Sequence, residues 1–338
     1  MNELIVHRSG PGTIVQDHGR AGYLAQGLSR GGAADRVALV EGAALLDQPL
    51  GLAALEFISS VEVEVTAPTW VALTGAPKRA RRDGEALSWN ACHLLSPGER
   101  LHLGPATTGN YAYLHVAGGI ATPMQVGSRG AHLTAGLGAT LADGARLPLG
   151  ADPAPRRCAR SLPTENRFAG GEIRILAGPQ TGLFPPEVLD RFLATRFSRT
   201  AWGNRQGVKL DHSGEGFRPA TGLDLVSEVI VPGDIQVTGD GTPYVLGPEC
   251  QTIGGYPRIA TIVPQDLPRV MQATPGSPLR FRMVDLQQSL DSHLTIEKLY
   301  ENARRRIQGP ELALLDNLMT QNLISGVVTD ILDDEDIS

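Results

Sequence analysis

The stretch Val61-Glu62-Val63-Glu64-Val65 alternates strictly between apolar and charged residues, and the apolar run Trp70-Val71-Ala72-Leu73 follows closely. Successive side chains of a β-strand point to opposite faces, so this alternation predicts a strand with one buried face. Similar short runs recur, each bounded by Gly, Pro or Asp: Leu4-Ile5-Val6-His7, Tyr111-Ala112-Tyr113-Leu114-His115-Val116, Glu172-Ile173-Arg174-Ile175-Leu176, Ile235-Gln236-Val237, Tyr244-Val245-Leu246 and Leu279-Arg280-Phe281-Arg282-Met283. This pattern predicts a mainly β protein.

The composition agrees with many strands joined by tight turns. Of 338 residues, 40 are Gly and 24 are Pro, whereas aromatic residues make up only 5%. The glycines follow no G-X-Y period, which excludes collagen, and an apolar content of 41% is enough for buried cores, which excludes wholesale disorder. At roughly 150 residues per domain, the length predicts about two domains.

Helical periodicity is confined to a few segments. Residues 35–46 and 185–193 are candidate helices, with Asp35 suited to cap the first and Pro185 to begin the second. Between the two halves, the Pro-rich and charged stretch 151–163 has no apolar periodicity and predicts a linker or an exposed crossover. Near the C-terminus, apolar residues at three- and four-residue steps predict amphipathic helices that pack on a barrel or on a partner: Ile296, Leu299, Tyr300, Ala303, Ile307, Leu312, Leu315, Met319, Leu323, Ile324, Val327 and Ile331.

Charge and cysteine usage exclude several classes of protein. The net charge is −6, which does not favour nucleic-acid binding, and we expect neither a secretory signal nor a membrane span. Cys92, Cys158 and Cys250 lack C-x-x-C spacing, and the eight histidines are scattered, so no disulfide framework and no metal site are expected. These features predict a cytoplasmic protein with reduced thiols.

Standard catalytic motifs are absent, and polar clusters beside glycines remain as candidate sites. The sequence contains no P-loop, no Rossmann fingerprint, no H-E-x-x-H and no G-x-S-x-G. The first cluster joins Gln16, Asp17 and Arg20 to two glycines; it is either a loop that binds a small ligand or a polar turn with an internal Asp17–Arg20 pair. The second runs through Gly31-Gly32 to Asp35, a helix start that either binds an anion or is simply capped.

Two further clusters lie later in the chain. Arg129 stands between Ser128 and Gly130, where its guanidinium suits a carboxylate or phosphate, unless it is only a surface arginine in a turn. In the segment 250–258, Gln251 and Thr252 can hydrogen-bond an amide or carboxylate, and Gly254-Gly255 leaves room for it. Asn204-Arg205-Gln206-Gly207 is a similar cluster.

In their order along the chain, these motifs resemble the biotin-dependent carboxyltransferase family, whose members include the C subunit of 5-oxoprolinase and allophanate hydrolase subunit 2. The resemblance spans about residues 4–285. The residues that carry it are Gln16-Asp17-x-Gly19-Arg20, Gly32-Ala33-x-Asp35-Arg36, Ala54-Leu55-Glu56, Leu73-Thr74-Gly75-Ala76, Gly118-Gly119-Ile120, Gly127-Ser128-Arg129, Gly178-Pro179-Gln180, Asn204-Arg205-x-Gly207, Ser227-Glu228, Val231-Pro232-Gly233-x-Ile235-Gln236-Val237 and Gln251-Thr252-x-Gly254-Gly255-Tyr256-Pro257.

The resemblance implies a mainly β fold of two cyclophilin-like β-barrel domains with a few short helices and a C-terminal helical tail. We expect the first barrel at 1–150, a linker at 151–170, the second barrel at 171–288 and the tail, with its acidic end, at 289–338. Three stretches depart from the family pattern: Leu28-Ser29-Arg30-Gly31-Gly32, Gln206-Gly207-Val208 and Glu249-Cys250. Because they fall at expected ligand loops, they bear on the substrate rather than on the fold.

The resemblance also implies a function: a component like the C subunit of an ATP-dependent 5-oxoprolinase, which hydrolyses 5-oxoproline to glutamate together with companion A and B subunits. ATP with magnesium would be required. By the same resemblance Asp17 and Glu228 are candidate catalytic residues. The candidate substrate-binding residues are Gln16, Arg20, Asp35, Arg129, Asn204, Arg205, Gln251, Thr252, Gly254, Gly255 and Tyr256.

Two alternatives stay open at this point. The chain could be one half of a carboxyltransferase or allophanate hydrolase that acts on a urea-like amide; biotin would then come from a partner, because no A-M-K-M attachment motif is present. It could also be a non-enzymatic regulator that binds a companion subunit.

Overall fold

The first half of the chain builds two antiparallel sheets around one apolar core. The computed structural model describes residues 2–154, 158–220 and 226–309. The strands of the described first half are β1 Glu3–Ser9, β2 Ile14–Gln16, β3 Ala54–Phe57, β4 Val61–Val65, β5 Thr69–Gly75, β6 Lys78–Arg82, β7 Glu85–Leu87, β8 Ala91–Leu95, β9 Leu101–Ala106, β10 Ala112–Val116 and β11 Arg146–Pro148. One sheet has the order β11-β1-β4-β9-β6-β7 and the other β2-β3-β10-β5-β8. Val63 of the first sheet and Leu73 and Leu114 of the second are fully buried in the same core, as the alternation predicted.

The second half forms a closed barrel. Its strands are β12 Gly171–Leu176, β13 Phe197–Gly203, β14 Gly207–Asp211, β15 Glu228–Val229, β16 Asp234–Val237, β17 Pro243–Leu246, β18 Ile253–Gly254, β19 Arg258–Ile262 and β20 Pro278–Met283. The barrel closes in the order β12-β19-β16-β17-β14-β13-β20, and β15 pairs with β18 outside it. Val208, Ile235 and Val245 fill its interior. The mainly β prediction is therefore confirmed, and so is a barrel.

The described helices are α1 Arg36–Leu45, α2 Pro186–Ala194, α3 Leu267–Gln272, α4 Leu286–Asp291 and α5 Ile296–Arg305. They confirm the predicted helices at 35–46 and 185–193 and the first part of the tail. In the tail, α5 packs Tyr300 and Ala303 against Leu45 of α1 and Leu162, so this part of its apolar stripe is covered within the chain rather than by a barrel. The tail residues predicted as helical from Leu312 onward lie outside the described residues. Among the described helices, none has the length and apolarity needed to cross a membrane.

Contacts between the halves hold them together. The side-chain nitrogen of Asn110 donates to the carbonyl oxygens of Met271 at 2.9 Å and Ala273 at 2.7 Å. The predicted linker at 151–170 is also anchored where the structure describes it, since Leu162, Arg167 and Phe168 are buried. The division into 1–150 and 171–288 remains a prediction, but side chains of both parts share the barrel's core cluster.

A buried histidine lies beneath α1. Thr74 donates its hydroxyl proton to the carbonyl oxygen of Ala38, so the imidazole Nε2–H of His115 donates to the Thr74 oxygen at 2.9 Å. The ring leaves no space above it, because a Cβ at Gly42 would lie 2.2 Å from its Cδ2 and Nε2 atoms. Burial lowers the pKa of His115 to about 3.

This histidine should make stability fall in mild acid. Below pH about 6.5 the unfolded chain binds a proton that the folded chain refuses until about pH 3, so stability present above 6.5 is lost as the pH falls through this window. One proton contributes about 1.4 kcal/mol per pH unit to the slope. We expect His115→Gln to flatten the urea-unfolding free energy between pH 6.5 and 4 by about this amount. The exposed His102→Gln serves as the control, and an equal slope in wild type and His115→Gln would contradict the prediction.

Candidate functional site

Two adjoining cavities share the wall formed by Gly203, Asn204 and Gln206. One, of about 370 Å³, lies against the outer face of the barrel and is here called the barrel cavity. The other, of about 400 Å³, lies between the halves and is called the interface cavity. The predicted residue Asn204 therefore contacts both.

The floor of the barrel cavity is a row of side chains on three neighbouring strands. Lys209 of β14 pairs in register with Tyr244 of β17, which pairs with Gln236 of β16. Their neighbours Val208, Val245 and Ile235 face the interior, so the strand alternation sends these three side chains outward into the cavity wall. The row combines one ammonium group, one phenol and one amide.

Gln236 carries a buried, unpaired nitrogen among the described residues that line this cavity. Its side chain is only 8% exposed, and its Nε2 atom has no hydrogen-bond partner among the described residues. A buried amide N–H without an acceptor costs about 1–3 kcal/mol. A Cβ at the predicted site residue Gly254 would approach this nitrogen to 2.6 Å, so the glycine leaves Gln236 its place.

The segment after Leu246 and the end of β13 also line the cavity. Gln251 and Tyr256, both predicted site residues, line it together with Trp202, whose side chain is 81% exposed. Cys250 also lines it, but burial, aided by Asp234, raises the pKa of its thiol to about 12. The thiol is therefore protonated near neutral pH and is not a nucleophile.

A buried ion-pair network forms the wall of the interface cavity. The Arg205 guanidinium donates to Glu56, to Glu249 and to the carbonyl oxygen of Gly32. Both carboxylates are 1% exposed, and Glu56 belongs to the first half while Arg205 and Glu249 belong to the second. Arg205 therefore joins the halves and also lines the interface cavity, and its role in substrate binding stays a prediction.

The network continues from Glu56 to the start of α1. The Tyr113 hydroxyl donates to Glu56 at 2.6 Å and accepts from the backbone N–H of Asp35 at 2.8 Å. Asp35 caps α1 by accepting from the N–H groups of Val37 and Ala38. Its other oxygen accepts from Arg167 at 2.8 Å. The capping alternative is therefore confirmed for Asp35, and its predicted role in substrate binding remains a prediction.

The first and third sequence clusters meet in one place. Asp17 accepts from the Ser128 hydroxyl at 2.6 Å and from the Arg129 backbone N–H at 2.8 Å. Gln16 donates to the carbonyl oxygen of Ala131, and Arg20 donates to that of Gly130. The guanidinium of Arg129 donates to the carbonyl oxygen of Thr122. These residues organise a loop of the first half and do not line the barrel cavity.

A serine, a histidine and a glutamate adjoin this loop without forming a nucleophilic triad. Nε2 of His132 lies 2.9 Å from the Ser29 oxygen, and Nδ1 lies 4.0 Å from Glu249. Because the Ala135 N–H donates to Nδ1, the ring proton is on Nε2 and points at Ser29. A general base would need Nε2 free to accept the serine proton.

The remaining predicted residues lie around β15 and β18. Glu228 is exposed and binds Arg258 at 2.6 Å and Gln180 at 2.9 Å. Thr252 is 9% exposed, and Gly255 precedes Tyr256 in the loop that covers the barrel cavity. The roles of Asp17 and Glu228 as catalytic residues stay predictions.

Lys209 and Gln236 line the barrel cavity but were not predicted as site residues from the sequence. The available signal was the alternation of β14 and β16, in which each lies between two buried apolar residues. Within the described parts of the chain, no group of three or more His, Cys, Asp or Glu side chains is arranged to hold a metal ion.

Comparison with known proteins adds to this geometry. The sequence pattern of the family described as "Carboxyltransferase domain, subdomain A and B" matches residues 26–283. The chain is 34% identical over 310 residues to the C subunit of 5-oxoprolinase from Escherichia coli (strain K12), a match that covers 90% of this chain and 98% of the relative.

Larger proteins share the same unit. A putative urea carboxylase of Emericella nidulans is 28% identical over 306 residues, which is 85% of this chain but 24% of the relative. The solved structure of K. lactis urea amidolyase superimposes with a TM-score of 0.80 at 24% identity, over 89% of this chain and 20% of that one. This last likeness concerns the fold alone.

Proposed function

The chain belongs to the carboxyltransferase-domain family, and on that basis we propose that it is the counterpart of the C subunit in an ATP-dependent 5-oxoprolinase. In this proposal it works in a cytoplasmic complex with A-like and B-like companions and converts 5-oxoproline to glutamate. The relatives named as C subunits of 5-oxoprolinase support it, because they match this chain over almost their whole length.

Gln236, whose Nε2 atom is unpaired within the described residues, and Lys209 at the other end of the same row carry the proposal. 5-Oxoproline is a small lactam that offers one carboxylate, one carbonyl oxygen and one N–H group. Lys209 pairs with the carboxylate, and Gln236 donates its free N–H to the lactam oxygen. The amide oxygens of Asn204 and Gln251 are at hand for the lactam N–H.

The chemistry requires activation of the lactam. An amide carbonyl is a weak electrophile, and ATP would supply the activation by transferring a phosphoryl group to the lactam oxygen, with ADP as the leaving group. The barrel cavity does not fit magnesium-bound ATP, because no Asp or Glu is among its lining residues in the described part of the chain and magnesium prefers carboxylate ligands. The part assigned to this chain is therefore to bind and orient the lactam and to stabilise charge on its oxygen.

A reconstituted complex tests the proposal. The chain is assembled with its A-like and B-like companions, and glutamate release from 5-oxoproline is measured with and without ATP. We expect ATP-dependent release, and we expect Gln236→Leu and Lys209→Met each to lower kcat/KM about tenfold or more, equal to roughly 1.4 kcal/mol of binding.

Lys298→Met is the matched control, since Lys298 is exposed on α5 and its side chain pairs with the exposed Glu301. Absence of glutamate from the wild-type complex would refute the function. Turnover that is unchanged in both cavity variants would instead refute the barrel cavity as the substrate site.

A second candidate, transfer of a carboxyl group to a urea-like amide, is favoured by the likeness to the putative urea carboxylase. The same amide-rich cavity suits such a substrate. The two differ in their need for biotin: carboxylation that requires a biotinylated partner and is blocked by avidin supports the second. Binding to the companions without turnover of either substrate supports a regulator.

A further inference from the structure

A third cavity, of about 230 Å³, lies between the halves and is here called the cationic cavity. The first half contributes His18, Arg30 and Arg36, and the second half contributes prolines such as Pro232 and Pro264. The two halves meet at its edge, where the N–H of Gly31 donates to the carbonyl oxygen of Pro248 at 3.1 Å. It is separate from the barrel and interface cavities, because none of their lining residues belongs to it.

Arg36 has no partner for one edge of its guanidinium. Its Nε and Nη2 atoms are buried and unpaired within the described residues. Elsewhere in the same protein Arg174 uses this edge to bind a carboxylate, since its Nε and Nη2 donate to the two oxygens of Asp266 at 2.9 and 2.7 Å. The free edge of Arg36 thus has the shape that accepts two oxygens of one anion.

Among the described residues, the acidic groups near Arg36 and His18 are either already hydrogen-bonded or exposed. Burial, and then Arg30, lowers the pKa of Arg36, and Asp35 acts in the opposite direction. Asp35 is already occupied by two helix N–H groups, Arg167 and Gln272. Near His18, Asp17 is held by backbone N–H groups and Glu297 is exposed on α5.

The wall that the second half contributes to the cationic cavity increases the attraction of the cavity for an anion. Its prolines carry neither a charge nor a backbone N–H, and an apolar wall lowers the local dielectric constant, which increases the attraction for a counter-charge. The N-terminus of α1, a helix of ten residues that begins at Arg36, adds its positive dipole end.

We infer that the cationic cavity binds a small oxyanion, a phosphate or carboxylate group, whose oxygens accept from Nε and Nη2 of Arg36, with Arg30 as the second cation. The inference does not depend on the 5-oxoprolinase proposal, because it concerns a separate cavity and can be tested on this chain without its companions.

Calorimetric titration of the full chain with inorganic phosphate, and separately with acetate, tests it. We expect binding of at least one of them, and the tighter of the two identifies the source of the oxyanion. Arg36→Met should weaken that binding about tenfold or more. Arg36→Lys keeps the charge but loses the paired Nε and Nη2 donors, so its affinity for the anion should lie between those of the wild type and Arg36→Met. Arg280 is exposed, so Arg280→Met is the matched control and should bind the anion with the affinity of the wild type.

A thermal melt without added anion guards against misfolding. Arg36→Met removes a partly buried guanidinium whose Nε and Nη2 atoms are unpaired within the described residues, so its melting temperature should equal or exceed that of the wild type. Added phosphate or acetate should raise the melting temperature of the wild type more than that of Arg36→Met. If Arg36→Met does not fold, Arg36→Lys and Arg30→Met carry the same test. Equal anion affinity in wild type and in the Arg36 and Arg30 variants would overturn the inference. Absence of binding of either anion to the wild type would overturn it as well.

Discussion

Replacing Arg205 by methionine is expected to lower the free energy of unfolding by about 3–5 kcal/mol, because it leaves two buried carboxylates without their counter-charge. Glu56 and Glu249 are each 1% exposed, and both accept hydrogen bonds from the Arg205 guanidinium. Since Glu56 and Arg205 come from different halves, the loss should weaken the contact between the halves as well. Urea unfolding followed by circular dichroism measures the change.

The design includes a rescue and a control. Adding Glu56→Gln and Glu249→Gln to Arg205→Met removes the stranded charges, so the triple variant should regain part of the lost stability. Arg282→Met breaks an exposed pair in which Arg282 and Glu172 are 50% and 59% exposed, and it should cost less than about 1 kcal/mol. If Arg205→Met lowers the free energy of unfolding no more than Arg282→Met does, the prediction that the buried ion-pair network stabilises the fold is contradicted.

Replacing Arg167 by methionine is expected to have an effect of similar size at the other end of the network. Arg167 binds Glu41 through two nitrogens, at 3.0 and 2.6 Å, and Asp35 through a third at 2.8 Å. Both carboxylates are buried, Glu41 at 3% and Asp35 at 0% exposure. Removing the guanidinium should cost about 3–5 kcal/mol at neutral pH.

The pH dependence distinguishes this effect from a simple packing loss. Burial raises the pKa of Glu41 while Arg167 opposes the rise, so without Arg167 the carboxyl should take up a proton more readily. The difference in the free energy of unfolding between wild type and Arg167→Met should therefore become smaller as the pH is lowered from 7 to 5. The control is Arg160→Met, which breaks a long pair with Asp47 at 4.0 Å. A difference in the free energy of unfolding that does not change with pH would contradict this prediction and would indicate lost packing instead.

Some features of the site were predictable because they depend on neighbouring residues alone. Asp35 precedes an apolar-periodic segment, and a side chain in that place caps the helix whatever surrounds it. Gln251 and Tyr256 lie in a Gly-rich loop after a strand, and they do line a cavity. Arg205 was equally visible as a polar residue, but its commitment to Glu56, 149 residues away, has no local signal.

The sequence by itself determined the strands, the capped helix α1 and the amphipathic helix α5, because periodicities of two and 3.6 residues are properties of short segments. Only the tertiary structure decided which polar residues meet. Strand register placed Lys209, Tyr244 and Gln236 in one row. The docking of the halves paired Arg205 with Glu56 and left an edge of Arg36 unpaired within the described residues. Register and docking depend on contacts between residues far apart in the chain, and no single stretch of sequence contains both partners of such a contact.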